Sequence, residues 1–401
     1  MDYVKQNRIN FHRAIMVKSS PAIIVAAYNR PSSLIRLLSS LLKAVYESDV
    51  TLVISIDKSD SEDVFEVANK FEWNNGKKVI IKHNENLGLK KHILSCGNLT
   101  REYGSIILLE DDLYVSPFFY VYASNALQFY DTDVNIAGIS LYSHALNVHA
   151  KLPFTPLQDD SSVFFLQLPA SWGQAWNYKQ WNFFMQWFDS PLNDENYKSI
   201  AIPVNIAKWP STSWLKIFTK YIIENNKYFV YPTISLTTNF ADSGVHFNRK
   251  FSYVQVVLQS IAINYEFKTF NDSSCVYDSY FELLPSKLKI KAISLSNYDF
   301  EVDLYGYKPL LEIDKPYFLT TQDCQIFEKS YGLDFKPIEF NVFEENMGKD
   351  IFLVKKNDFK EKKEFFSLTK SMLFEYYYRM PVIGELLNLF ILKIKQNIFN
   401  K

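Results

Sequence analysis

The chain has 401 residues, 48% hydrophobic and 22% charged, enough apolar material for one large folded unit or two moderate ones, which excludes a disordered chain. Lys and Arg number 43 against 44 Asp and Glu, so no general field draws in nucleic acid and an anionic partner must be met by a local site. The cysteines, Cys96, Cys275 and Cys324, stand far apart and outside any CxxC spacing, which argues against a disulfide framework or structural zinc and fits a reducing cytoplasm.

Residues 1–19 form a polar lead without the apolar core of a secretory signal, and no stretch reaches the roughly 18 apolar residues of a membrane span. A cytoplasmic protein, soluble or peripheral, is expected. "AIIVAAYN" from Ala22 then reads as a buried strand, followed by a helix with Leu34, Leu37, Leu38, Leu41, Leu42 and Val45 at helical spacing. "TLVISID" is a second strand ending in Asp57, "SEDVFEVANKF" a helix with acids in its first turn, and "KVIIKHN" a third strand. A helix closed by Gly104 leads into "SIILLEDDLYVSP", where an unbroken apolar run ends in Glu110, Asp111 and Asp112. Strands alternating with helices predict an α/β fold with a mainly parallel sheet flanked by helices.

Ligands of such sheets bind at the carboxyl ends of the strands. Those ends carry Asn29-Arg30, Asp57, His83-Asn84 and the three acids. Three adjacent carboxylates repel one another unless a cation joins them, and their oxygens suit Mg²⁺ or Mn²⁺ shared with substrate phosphates. The plainer alternative is that they favour the start of the next helix, expected with Ser116 as cap and Pro117 at its first position.

Further on come a strand in "VNIAGISLYS", an aromatic tract containing "SWGQAW", a helix in "STSWLKIFTKYIIENN", and a strand and loop in "YFVYPTISLTTNFADSGVH". Patterning weakens past residue 250, which predicts a main domain over 20–250 and a C-terminal α+β extension over 251–401. The tail is helical, aromatic and apolar, broken at Pro381 and carrying Lys393, Lys395 and Lys401. Packing on the main domain is the first expectation for it and contact with an anionic membrane surface the second.

Taken together, "AAYNRPSSLIRLLSSLL", "ISID", "IILLEDDLYVSPFFYVYASNAL", "WGQAW" and "YPTISLTTNFADSGVH" resemble glycosyltransferases of the GT-A fold. The similarity is greatest to the inverting N-acetylglucosaminyltransferase I and protein-O-mannose N-acetylglucosaminyltransferase group and to bacterial polysaccharide-cluster sugar transferases. The resemblance implies a Rossmann-like domain using a nucleotide-sugar, UDP-linked first, with Mn²⁺ or Mg²⁺. It implies that Arg30 lies near the donor diphosphate, that Asp57 and His92 contact the nucleotide, that Glu110 and Asp111 contact sugar and ribose, and that Asp112 binds the metal. Gly244 and Val245 match a loop that closes over the donor, although His246 stands where the family pattern has Ser.

The base departs from the family. An inverting transferase needs a carboxylate at the acceptor hydroxyl. The family carries it in a Trp-Asp-Asp-Trp motif, and here Trp214 is retained while Leu215 and Lys216 replace the aspartates. Asp242 is the best substitute, with Asp159, Asp160 and Glu224 as alternatives. Trp172 and Trp176, together with Trp214, are expected to shape the acceptor pocket. The resulting expectation is a metal-dependent, inverting transferase acting on a glycan or lipid-linked acceptor in bacterial surface polysaccharide synthesis. The alternatives are a non-catalytic glycan-binding protein and a sugar-1-phosphate nucleotidyltransferase, though the latter calls for a Gly-rich basic loop that "AAYNRPSS" lacks.

Overall fold

The computed structural model describes residues 20–190, 202–242, 254–359 and 368–399. The expected alternation forms β1 (Ala22–Ala27), α1 (Pro31–Leu41), β2 (Leu52–Ile56), α2 (Asp63–Lys70), β3 (Lys78–Lys82), α3 (Gly88–Asn98), α4 (Thr100–Tyr103) and β4 (Ser105–Glu110). β1 pairs in parallel with β2 and β4, and β2 with β3. Every residue of β1 and β2 is buried because helices cover both sheet faces. Ile23, Val25 and Ala27 join Leu34, Leu37, Leu38 and Val64 in one layer, while Ala22, Ile24 and Ala26 join Ile93 and Cys96 in the other. Double coverage is why these strands read as continuous apolar runs instead of alternating ones.

After Glu110 the chain turns through Asp111 and Asp112 into β5 (Leu113–Val115), then α5 (Phe119–Phe129). That helix starts two residues beyond Pro117: the Ser116 hydroxyl accepts from the Phe118 N–H at 3.2 Å and donates to the Gln259 carbonyl at 2.5 Å, so it fixes the turn before the helix. β6 (Ile136–Ser140), β7 (Val163–Leu166), β8 (Gln174–Asn177), α6 (Tyr178–Phe188), α7 (Val204–Ala207), α8 (Trp214–Glu224), β9 (Tyr228–Pro232), β10 (Thr237–Asn239) and β11 (Val276–Tyr277) follow. The nine-stranded sheet has the order β11-β7-β9-β6-β8-β4-β1-β2-β3, with β8 antiparallel to both neighbours and β7 antiparallel to β9. Its other pairings are parallel. β10 pairs with β5 in a separate two-stranded ribbon, which brings the chain around 240 against the acidic turn.

The described residues from 254 onward continue this body. β11 bonds to β7 at the sheet edge, and one buried layer runs from Ile24 through Phe218 to Phe300, Val302, Leu319 and Leu353. The helix α9 (Pro285–Lys291) leads to a four-stranded sheet of β12 (Phe300–Asp303), β13 (Tyr317–Thr320), β15 (Ile351–Lys355) and β14 (Lys329–Tyr331), with α10 (Phe340–Phe343) between its last two strands in sequence. In the tail, α11 (Leu368–Tyr377) docks by burying Leu373. Packing fails for α12 (Ile383–Phe399), where Leu386, Leu387 and Phe390 are 50%, 58% and 64% exposed. Leu373 finds the large apolar layer, whereas these α12 side chains have no comparable cover. No helix among the described residues is long and apolar enough to cross a membrane.

Candidate active site

The acidic turn sits at the carboxyl end of β4, in mid-sheet beside β1. Arg30, in the loop after β1, reaches across to it: Nη1 lies 2.9 Å from Asp112 Oδ2, and Nη2 pairs with Asp111 Oδ1. Asp112 Oδ1 accepts from the Asn239 amide at 3.2 Å. Asp111 Oδ2 is buried with no hydrogen-bond partner, an uncompensated lone-pair site of the kind that native interiors avoid. Burial raises the Asp111 pKa to about 6, with the Arg30 charge opposing. Burial, then repulsion from Asp112 and Asp111, pushes Glu110 up to about 8. Burial works to lower the Arg30 pKa, yet the Asp111 and Asp112 charges outweigh it and raise it above its ordinary value.

Of the four carboxylates weighed as a base, only Asp242 joins this network. Its Oδ2 accepts from Ser33 Oγ at 2.7 Å and pairs with Arg36, whose Nη2 also reaches the Asp112 carbonyl at 3.4 Å. The Arg36 guanidinium lies 4.0 Å above the Phe240 ring, and the Phe240 N–H donates to the Asp112 carbonyl at 3.1 Å. The other candidates are corrected by topology. Asp159 accepts from Ser161, Ser273 and Ser274 beside β7, and Asp160 is its exposed neighbour; β7 lies four strands from β4, about 19 Å at ordinary strand spacing. Glu224 ends α8 at the opposite edge of the sheet, accepting from the Trp187 indole at 3.0 Å.

Asp57 and His92 occupy positions with clear structural partners. The Asp57 carboxylate accepts from the N–H groups of Lys58, Leu87 and Gly88 at 2.9, 2.8 and 3.1 Å, stitching the end of β2 to the N-terminus of α3. His92 is buried with Nε2 2.9 Å from Ser55 Oγ, which also meets His83 Nε2 at 3.2 Å. Burial lowers the His92 pKa to about 4, so the ring is neutral at ordinary pH. Gly244, with Val245 and His246, lies outside the described residues.

The three tryptophans separate. Trp176, on β8 opposite Ile106, is 0% exposed, and Trp214, at the start of α8, is 3% exposed; both pack around Phe218. Neither has a face for an acceptor, and both assignments are corrected: β8 is covered by α6 and α8, so its inward side chains become core. Trp172 is half-buried and stands just before Gln174, the partner of Leu108 two residues short of Glu110. Gly173, at φ +95°, makes the bend, with Thr237 2.8 Å from where a Cβ would project. Thr237 bonds the Trp172 carbonyl, so β10 links this ring to the acidic turn, and the ring centroid of Tyr142 lies 4.7 Å away.

Arg36, Asn239 and Ser33 had no role assigned by pattern. Arg36 is visible as the last basic position of "NRPSSLIR", six residues past Arg30, but its partner is distant in sequence. Among the described residues no set of three His, Cys, Asp or Glu side chains is arranged to hold a metal. The chemistry of the turn nonetheless fits a hard divalent cation, since it offers carboxylate oxygens and one of them, Asp111 Oδ2, is unpartnered.

Residues 22–178 match the family "Glycosyl transferase family 2". No curated protein matches the chain. The solved structure of S. aureus TarS 1–349 is similar at 14% identity and TM-score 0.37, covering 54% of this chain and 59% of that one. The same fragment in complex with UDP-GlcNAc aligns at 13% identity and TM-score 0.35, over 70% of this chain and 67% of that one. The mannosyltransferase PcManGT from Pyrobaculum calidifontis, in complex with GDP-Man and Mn²⁺, aligns at 12% identity and TM-score 0.30, over 43% and 47%. The chain thus spans less than two thirds of TarS 1–349 alone and of PcManGT.

Proposed function

We propose, from a chain whose residues 22–178 match glycosyl transferase family 2, that this protein moves a sugar from a nucleoside diphosphate, a UDP-sugar first, to a hydroxyl of a glycan or lipid-linked acceptor in bacterial surface polysaccharide synthesis. The observation that carries the reading is the acidic turn at the carboxyl end of β4, held against Arg30 with one carboxylate oxygen left unpartnered. Asp112 and Asp111 would hold Mn²⁺ or Mg²⁺, which when bound supplies positive charge for a departing diphosphate. Arg30 contributes a planar guanidinium suited to phosphate oxygens. Asn239 fixes the orientation of Asp112. The acceptor oxygen bonds to the anomeric carbon as that carbon's bond to the diphosphate breaks, with inversion in a single displacement, and the hydroxyl proton passes to a carboxylate. Asp242 is the group proposed for that step, because it alone of the candidates shares a network with the acidic turn. Trp172 is proposed as the acceptor platform.

A glycan-binding protein without turnover is the second reading. Leu215 and Lys216 stand in the family's base motif, and Asp242 is engaged by Arg36 and Ser33. Calorimetric titration with nucleoside diphosphates, with and without Mn²⁺, tests the first reading. Metal-dependent binding of UDP or GDP that Asp112→Ala abolishes is expected, and no binding to any nucleotide would overturn it.

The membrane side of the proposal rests on α12. Ile383, Leu386, Leu387, Phe390, Ile391 and Ile394 are all exposed and recur at helical spacing, and the sequence from Leu386 onward carries Lys393, Lys395 and Lys401 without an acid. Apolar residues at that spacing with net positive charge suit the surface of an anionic bilayer. Flotation with phosphatidylserine vesicles is expected for the wild-type protein and lost in Leu387→Glu/Phe390→Glu; a wild-type protein that stays at the bottom of the gradient rejects the contact.

A further inference from the structure

We propose that Arg30 is a resident counter-ion that closes Asp111 and Asp112 to divalent cations until a nucleoside diphosphate draws it away, so that metal and donor bind cooperatively. This rests on the nucleotide-sugar reading above. The lone pairs of the turn carry the argument. Asp112 Oδ2 is taken by Arg30 at 2.9 Å and Oδ1 by Asn239 at 3.2 Å, while Asp111 Oδ1 is taken by the second Arg30 nitrogen. The remaining oxygen of the aspartate pair, Asp111 Oδ2, is fully enclosed. A cation shared by the two aspartates through Asp111 Oδ1 and Asp112 Oδ2, at about 2.0–2.1 Å from each, must displace the guanidinium that now holds both oxygens.

The lock is incomplete by charge. One guanidinium faces two aspartates with Glu110 adjacent, and a buried carboxylate oxygen without a donor is costly, so the turn retains a demand for positive charge. A diphosphate offers Arg30 bidentate oxygen pairs equivalent to those it would leave. Arg30 is also about a quarter exposed on its side chain, so it can turn toward a ligand at the strand ends without unpacking the core. Once it turns, the aspartate oxygens become ligands. Linkage then requires reciprocity: the nucleotide raises metal affinity by the factor by which the metal raises nucleotide affinity.

Mn²⁺ titration followed by electron paramagnetic resonance, in the absence of nucleotide, reads the lock directly. Arg30→Gln is expected to bind Mn²⁺ at least tenfold more tightly than the wild type, Arg30→Lys to behave as the wild type, and Arg30→Gln/Asp112→Asn to lose the gain. Circular dichroism melts of each variant separate a lost fold from a changed site, and if Arg30→Gln melts early, Arg30→Met, which keeps the apolar stem without the charge, carries the same comparison. Equal Mn²⁺ affinity in wild type and Arg30→Gln overturns the inference. UDP titration of the same proteins in the presence of Mn²⁺ tells its failure from that of the parent reading: nucleotide binding with no effect of Arg30 on Mn²⁺ removes only the lock, whereas no nucleotide binding removes both.

Discussion

Two clusters of buried carboxylates, in different parts of the molecule, solve the same electrostatic problem differently. In the acidic turn, Arg30 meets Asp111 and Asp112 from a position about a quarter exposed, and one oxygen goes without a partner. In the C-terminal part, Asp303 is 0% exposed and accepts four hydrogen bonds, from the N–H groups of Tyr307 and Lys308, the Thr320 hydroxyl and the Gln322 amide, each at 2.8 Å. Beside it Glu282 takes the Tyr305 N–H at 2.8 Å, and Lys308 meets Asp278 at 2.5 Å and Glu301 at 3.5 Å. Burial raises the pKa of both Glu282 and Asp303. Asp303, however, has its bonds complete inside the chain. A saturated cluster ties elements together, and an unsaturated one at a strand end is left with capacity for a ligand.

The comparison breaks first on stability. Asp303→Ala strips four donors of their acceptor in a site without water access and is expected to cost about 3–5 kcal/mol in urea denaturation. Asp112→Ala relieves repulsion with Asp111 as it loses Arg30, and is expected to move stability by less than about 1 kcal/mol while removing nucleotide binding. Equal losses would show that both clusters serve the fold.

The acid side sharpens it next. His92 titrates at about 4 in the folded chain against roughly 6.5 unfolded, so below pH 6.5 the unfolded state binds the proton first. The stability from this ring is present above that pH and is lost as pH falls toward 4, a contribution on the order of 2–3 kcal/mol. Denaturation curves between pH 7 and 4 should therefore be flatter for His92→Gln than for the wild type; parallel curves would refute a buried neutral ring. The smallest effect is expected at Trp172. Trp172→Ala should raise the acceptor KM roughly three- to tenfold, the worth of one aromatic contact, with an unchanged melting temperature. A lowered melting temperature with unchanged KM would assign Trp172 to the core beside Trp176.

Much of the site's frame is legible because it is local. Apolar runs, helical spacing and three acids at the end of "SIILL" are nearest-neighbour information, and strand ends in an alternating α/β chain must gather along one edge. The partners are not local. Arg30 meets Asp112 across 82 residues, and Arg36 meets Asp242 across 206. Trp172 and Trp176 look alike in "SWGQAW", and only the pairing of β8 between β4 and β6 leaves one half-buried beside the acids and encloses the other. Asp57 and His92 likewise acquire their partners from α3 docking on β2.

By itself the sequence determined the alternating architecture, the edge on which polar groups collect and the acidic turn, since periodicity and residue chemistry are written along the chain. Tertiary structure alone decided which acids are saturated, which aromatics stay partly exposed and which cation answers the acidic turn, because burial and hydrogen-bond satisfaction depend on what folds back against each residue.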